Sequence, residues 1–216
     1  MQGKRPGVLI IHQWTGLTDY EKGRARQLAE LGYVPFALDI YGKDSRPKSV
    51  QDAARQAGIY RADRALMRRR ARAGLDTLTA SDLCDPTRVA AMGYCFGGGC
   101  ALELARSGAP LVGTVSFHGN LDTPNPADAR NIRGSILVCH GADDPHVTTE
   151  QVLAFEQEMR DAKMDWELIA YGNAVHAFTQ RGAGNDPSRG AAYNEKADRR
   201  SWQAMEDFFN EVFKRD

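Results

Sequence analysis

The stretch Gly-Tyr-Cys-Phe-Gly-Gly-Gly at 93–99 has the composition of a covalent catalytic site, because glycines stand two positions before and two positions after Cys95. This G-x-C-x-G spacing is the thiol form of the nucleophile elbow, a sharp strand-to-helix turn that needs small neighbours. The N-terminus of the following helix favours a thiolate, and the N–H of Phe96 can face a developing oxyanion. The alternatives for Cys95 are a buried apolar filler, a redox centre or a metal ligand.

Two later residues complete the pattern of a nucleophilic site. Asp144 stands in His-Gly-Ala-Asp-Asp-Pro-His-Val at 140–147, and His176 stands in Tyr-Gly-Asn-Ala-Val-His-Ala-Phe at 171–178. Nucleophile, acid and then histidine is the chain order of α/β-hydrolases. Each residue follows a different predicted strand, so the three can converge at one edge of a sheet. We therefore predict a catalytic triad of Cys95, His176 and Asp144.

The acidic and histidine-rich segment after the fifth predicted strand has a second interpretation as a metal site. Its candidate ligands are His140, Asp143, Asp144 and His146. Their spacing matches no standard ligand pattern, so we predict no metal. His140 is interpreted as a core histidine and Asp143 as a solvated turn residue.

Other residues at the predicted strand ends are candidates for the oxyanion hole and the substrate pocket. The loop after the first strand normally supplies the second oxyanion donor, and we assign this role to the N–H of Trp14. His118 and Phe178 adjoin strand ends and are candidates for an apolar cleft. Arg70, on a predicted helix, is a candidate cation. The alternatives are that Trp14, His118 and Phe178 are packing residues and that Arg70 lies on a solvated helix face.

Apolar, β-branched runs alternate with helical patterns along the whole chain. The strands are predicted at 7–12, 33–40, 88–94, 111–119, 135–141 and 166–172, and the helices at 19–32, at about 61–80, directly after Cys95, at 149–162 and at 194–213. This alternation predicts an α/β fold, with a mostly parallel sheet of about six or seven strands covered by helices on both faces. We interpret residues 1–216 as one domain, residues 41–60 as polar and irregular, and residues 181–193 as a mobile surface loop.

Composition excludes several classes of partner. Lys+Arg and Asp+Glu both number 28, and the formal net charge is zero, which gives no reason to expect nucleic acid or an anionic membrane. No apolar stretch approaches the length of a membrane span. The four cysteines contain no C-x-x-C pair and form no disulfide framework, so we expect a reducing, cytoplasmic location. A monomer or a weak homodimer is expected.

The motifs together resemble the dienelactone hydrolase family. The residues that carry the resemblance are Gly-Tyr-Cys-Phe-Gly-Gly at 93–98, the two segments around Asp144 and His176, and Pro-Gly-Val-Leu-Ile-Ile-His-Gln-Trp-Thr-Gly-Leu at 6–17. The resemblance implies an α/β-hydrolase fold, the Cys95–His176–Asp144 triad and an oxyanion hole made by the amides of Phe96 and Trp14. It also implies hydrolysis of esters and enol-lactones (carboxymethylenebutenolidase-type activity) with neither a metal nor an organic cofactor.

Two positions depart from the pattern of this family. Well-studied members carry a glutamate that binds the resting thiol where this chain has Gln13, so Cys95 either pairs directly with His176 or is activated differently. The family also has a carboxylate-binding arginine at the position of Gln180. We include Gln13 among the pocket candidates. The competing hypotheses are a non-catalytic module that binds a small ligand and a redox protein that uses Cys95 and Cys100.

Overall fold

Six parallel strands form the sheet in the computed structural model, which describes residues 3–214. The strands are β1 (Arg5–Ile11), β2 (Val34–Leu38), β3 (Cys84–Tyr94), β4 (Gly113–Phe117), β5 (Ser135–Gly141) and β6 (Trp166–Tyr171). Their order across the sheet is β2-β1-β3-β4-β5-β6, and every neighbouring pair is parallel. All carboxyl ends therefore lie at one edge of the sheet, as the sequence predicts.

Helices cover both faces of the sheet. They are α1 (Asp19–Glu30), α2 (Val50–Ala62), α3 (Arg64–Thr79), α4 (Phe96–Arg106), α5 (Thr149–Ala162) and α6 (Glu195–Val212). One buried cluster joins α2, α3, α4 and α5 to the sheet, and a second joins α1 and α6 to the other face. Among the described residues, no helix has both the length and the apolar character that crossing a bilayer requires.

The strand β1 shows how the two faces are filled. Leu9 and Ile11 belong to the cluster with α2–α5, whereas Val8 and Ile10 belong to the cluster with α1 and α6. Successive side chains of a strand point to opposite faces, and all four of these are fully buried. A continuous apolar run is therefore what a strand covered on both sides requires.

The segment that precedes α3 is more ordered than the sequence predicts. The prediction that residues 41–60 are irregular is wrong, because α2 occupies Val50–Ala62. The side chain of Ser49 caps α2 by accepting a hydrogen bond from the N–H of Asp52 at 3.0 Å. The buried face of this helix consists of Ala53, Ala57 and Tyr60, so two of its three core positions are small and give a weak apolar periodicity.

Candidate active site

Cys95 lies alone between β3 and α4, on the turn that joins them. Its backbone angles are φ 55° and ψ −120°, a conformation that a residue with a side chain rarely adopts. A Cβ at Gly93 would lie 2.0 Å from the carbonyl oxygen of Gly97, and a Cβ at Gly97 would lie 2.1 Å from that of Ile11. Both glycines are therefore required for the strand and the helix to approach this closely. The geometry is that of a nucleophile elbow.

Asp144 and His176 follow β5 and β6 and meet near this turn. Asp144 Oδ2 accepts a hydrogen bond from Nδ1 of His176 at 2.8 Å, and Asp144 Oδ1 accepts one from the N–H of His146 at 2.8 Å. With both oxygens engaged, the carboxylate is fixed in place. It holds the proton of His176 on Nδ1 and leaves Nε2 for a second partner.

We expect that second partner to be Cys95, which borders the same cavity as His176. Burial raises the pKa of the Cys95 thiol, but the hydrogen bond with His176, the charge of that histidine and the N–H of Phe96 outweigh burial and leave the pKa below its ordinary value. Burial likewise lowers the pKa of His176, but hydrogen bonds to Asp144 and Cys95 raise it to about 10. At neutral pH the two shifts favour a thiolate beside an imidazolium.

The loop after β1 forms the wall opposite α4. The side-chain N–H of Gln13 donates to Oε1 of Glu21 at 3.3 Å, so a buried carboxylate lies beside Gln13, outside the cavity lining. The hydroxyl of Tyr41 donates to the carbonyl of Trp14 at 3.0 Å. The N–H of Trp14 has no acceptor among residues 3–214 and is available to a ligand.

A cavity of about 440 Å³ opens between these elements. Its lining residues are Gln13, Trp14, Arg61, Cys95, Asn120, His146, His176, Ala177, Gln180, Ala183 and Ala191. A volume in this range suits a small organic molecule. Several residues that the sequence singles out border the cavity: Gln13, Trp14, Cys95, His146, His176 and Gln180. Asp144 is outside the lining and holds His176.

The other three pocket candidates lie elsewhere, and their assignment to the cavity wall is corrected. His118 is buried beneath His176, with ring centroids 5.3 Å apart and a hydrogen bond of 2.8 Å from its Nε2 to Oγ1 of Thr179. Phe178 is fully buried and packs on Tyr171. Both side chains are buried and their rings contact each other with centroids 5.1 Å apart, so they pack beneath the site and do not line the cavity.

The prediction that Arg70 supplies a cation to the pocket is also wrong, for a different reason. It lies on α3, and its guanidinium contacts the carbonyl of Tyr41 at 3.4 Å, outside the cavity lining. The cation that does border the cavity is Arg61, whose guanidinium donates to Asn120 Oδ1 at 3.3 Å and lies 5.9 Å from the ring centroid of Phe96. Arg61 falls at the end of α2, and the weak periodicity of that helix hid the position from sequence reasoning.

The segment 181–193 closes the cavity. The N–H of His176 donates to the carbonyl of Gly190 at 3.2 Å, and the N–H of Ala192 donates to the carbonyl of His176 at 3.0 Å. Ala183 and Ala191 border the cavity. The sequence marks this stretch as a loop, but its pairing with the backbone of His176 has no local signal.

A six-stranded parallel sheet with helices on both faces and a nucleophile elbow after β3 is the architecture of an α/β-hydrolase. The model of the dienelactone hydrolase family matches residues 1–213, and the chain belongs to that family of hydrolases.

Similar proteins support this assignment. The solved structure of a dienelactone hydrolase-like promiscuous phosphotriesterase from metagenomic libraries is 46% identical, with a TM-score of 0.93 over 98% of this chain and 88% of that one. The structure of a protein called m3DLH is 44% identical, with a TM-score of 0.94 over 99% of this chain and 89% of that one. An uncharacterized protein of Caenorhabditis elegans is 39% identical over 67% of this chain and 92% of its own length.

Proposed function

We propose that the protein hydrolyses carboxylic esters, lactones included, through a triad of Cys95, His176 and Asp144. The observation that carries the proposal is the imidazole of His176, which is held by Asp144 at 2.8 Å and borders the same cavity as Cys95. A nucleophile, a base and an acid that orients the base are the parts that acyl transfer requires. Membership of the dienelactone hydrolase family supports the same reaction class.

The proposed mechanism starts from the thiolate–imidazolium pair. The sulfur of Cys95 attacks the ester carbonyl carbon, and the amides of Phe96 and Trp14 stabilise the resulting oxyanion. The carbon–oxygen bond to the leaving group breaks, and His176 gives its proton to the departing alkoxide or enolate. Water then loses a proton to His176 and attacks the thioester, which releases the carboxylate and restores both the thiolate and the imidazolium. Peptides are not expected substrates, because a thiolate leaves more readily than an amine.

The competing hypotheses fit the site less well. In a redox protein Cys95 and Cys100 would exchange, but burial raises the pKa of the Cys100 thiol well above its usual range, which makes it a poor partner. A purely ligand-binding module gives no reason for the strained backbone of Cys95 or for the lowered pKa of its thiol. The four cysteines are free and buried, and a reducing compartment such as the cytoplasm is part of the proposal.

A panel of p-nitrophenyl esters and small lactones tests the proposal with three proteins. Wild type is expected to turn over at least one substrate, and Cys95→Ala is expected to lose turnover to the background rate, because no other group supplies the thioester. Cys100→Ala is the matched control, since it removes a buried thiol one turn further along α4. Equal turnover by wild type and Cys95→Ala contradicts the assignment.

A second candidate activity is cleavage of phosphotriesters, favoured by the 46% identity to a promiscuous phosphotriesterase. The Cys95 thiolate would attack phosphorus and expel an aryloxide, and water would then hydrolyse the sulfur–phosphorus bond. Adding paraoxon to the same panel tests this activity. We expect slower turnover than with esters and the same dependence on Cys95, and turnover that survives in Cys95→Ala would reject it.

A further inference from the structure

The peptide between Gln13 and Trp14 is held in place through its oxygen. The carbonyl of Gln13 accepts two hydrogen bonds, one from Nδ1 of His12 at 2.5 Å and one from the N–H of Gly16 at 3.1 Å. A peptide group is planar and trans, so its C=O and N–H point in opposite directions. Whatever fixes the carbonyl of Gln13 therefore also aims the N–H of Trp14.

The hydrogen bonds of His12 define its protonation. Its Nε2 accepts the N–H of Ile40 at 3.3 Å, so this nitrogen carries a lone pair, and the proton of a neutral ring must then lie on Nδ1. That proton is the one donated to Gln13. A single tautomer thus satisfies both contacts. His12 is also fully buried, and burial of a neutral ring costs less free energy than burial of a charged one.

The surroundings of His12 also restrict its ring. The ring of Tyr41 meets it edge-on with centroids 4.6 Å apart, and the ring of Phe96 stacks at 6.3 Å. Two acidic groups face it: Asp39, whose Oδ1 lies 3.7 Å from Nε2 and which is itself paired with Arg46, and the buried Glu21. Burial outweighs both acidic groups and lowers the pKa of His12, which keeps the ring neutral.

The two neighbouring peptides have hydrogen-bond partners other than His12. The N–H of Gln13 donates to Oε1 of Glu21 at 3.3 Å, and the carbonyl of Trp14 accepts from the hydroxyl of Tyr41 at 3.0 Å. Removal of the His12 side chain therefore leaves the carbonyl of Gln13 with the N–H of Gly16 as its remaining donor among the described residues, whereas both neighbouring peptides keep their partners. This makes the contribution of His12 separable from the folding of the loop.

We propose that His12 is a positioning residue of the oxyanion hole: its Nδ1–H holds the carbonyl of Gln13 so that the N–H of Trp14 faces the oxygen that gains charge when Cys95 attacks. The inference rests on the proposed ester hydrolysis. It assigns a chemical task to a buried histidine that touches neither Cys95 nor the substrate.

Three variants test the proposal. His12→Leu removes the donor to Gln13, and we expect kcat to fall about 100-fold with KM changed less than about threefold, because losing an oxyanion donor costs about 10²–10³ in kcat. His12→Asn retains an N–H near the position of Nδ1, and it should recover at least about tenfold of that loss. Tyr60→Phe is the control, since it removes a buried hydrogen bond of 2.9 Å to the carbonyl of Ile40 without touching Gln13, and it should match wild type.

Alkylation of Cys95 by iodoacetamide distinguishes a misplaced N–H of Trp14 from a wider disturbance of the active site. Displacement at the iodoacetamide carbon forms no oxyanion, so the alkylation rate should stay within about twofold of wild type in both His12 variants. A parallel loss of alkylation and turnover, or a His12→Leu enzyme as active as wild type, overturns the proposal. So does a ¹⁵N spectrum that shows His12 protonated on Nε2. A wild-type protein without ester turnover overturns the proposed function itself, and with it the reaction that His12 would serve.

Discussion

Gln13 stands where well-studied members of the family carry a glutamate, so the thiol of Cys95 must be activated by another group. Its side-chain N–H is committed to Glu21, and an amide cannot accept a proton from a thiol. The interaction that lowers the pKa of Cys95 is instead the hydrogen bond with His176, which works against burial. The resting state that we expect is a thiolate–imidazolium pair, formed before any substrate arrives.

The pH dependence of alkylation tests this resting state. The pKa of Cys95 is lowered, so its thiolate is present above that lowered pKa and is lost as the pH falls through it. We expect the midpoint of the iodoacetamide profile to lie below the ordinary pKa of a free thiol. Asp144→Asn replaces the carboxylate by a neutral amide, which lowers the pKa of His176, weakens the imidazolium and should shift the midpoint of the profile upward. A wild-type midpoint at an ordinary thiol pKa, or an unshifted Asp144→Asn profile, would contradict the pair.

Residue spacing identified Cys95, Asp144 and His176 as a set because each follows a different strand of a parallel sheet. It did not identify Arg61 or Asn120, which border the cavity only because a helix and a loop fold over the sheet edge, and it named His146 only as a candidate metal ligand. Whether a residue lines a cavity depends on the orientation of its side chain, and the sequence carries little information about that orientation. His118 is a residue that the sequence predicts to line the cavity but that does not, since it stands at a strand end and is nevertheless buried.

At the scale of elements, the close approach of β3, α4 and β1 depends on glycines. A Cβ at Gly97 would lie 2.1 Å from the carbonyl oxygen of Ile11 and 2.6 Å from that of His12, and backbone atoms cannot yield as a flexible side chain can. Gly97→Ala should therefore move α4 away from β1 and carry the amide of Phe96 with it. The strands and most helices were predictable because their apolar patterns are strong, whereas α2 was not, because its core positions are mostly alanine.

Two glycine variants test this dependence. Gly97→Ala is expected to lower the free energy of unfolding by more than about 3 kcal/mol, the size of severe core overpacking. Gly23→Ala is the control, because its Cβ in the interior of α1 would meet nothing within 4 Å, and the better helix propensity of alanine should add up to about 1 kcal/mol. Urea denaturation measures both. Equal stability of the two variants would show that the packing at Gly97 is looser than described.

At the scale of the whole molecule, a buried ion-pair network connects α3, α4, α5 and the loop that carries Leu121. Arg106 on α4 donates to both oxygens of Glu158 on α5 at 2.7 Å and to the carbonyl of Leu121 at 3.0 Å. It also pairs with Glu103, which Arg68 on α3 contacts in turn. The network fixes α4, the helix that follows Cys95, relative to α3 and α5 on the same face of the sheet.

Replacement of Arg106 tests how much the network contributes. Arg106→Met leaves Glu158 buried without its partner and should cost about 3–5 kcal/mol of unfolding free energy, whereas Arg106→Met with Glu158→Met should recover much of that loss. Arg72→Met, in an exposed pair with Asp76, should change stability by less than about 1 kcal/mol. Urea denaturation gives the three values, and a double variant as unstable as Arg106→Met would contradict the expected coupling.

The order of the strands along the chain also has a consequence for biosynthesis. Cys95 leaves the ribosome well before Asp144 and His176, and the first loop and β3 can assemble around it while β6 is still unmade. The two contributions of His176 to the lowered pKa of the thiol are absent until β6 has been made, and only those of the Phe96 N–H and Arg61 can then oppose burial. We therefore expect the sulfur of an incomplete polypeptide to be less nucleophilic than that of the finished protein, which gains the imidazole when β6 pairs with β5.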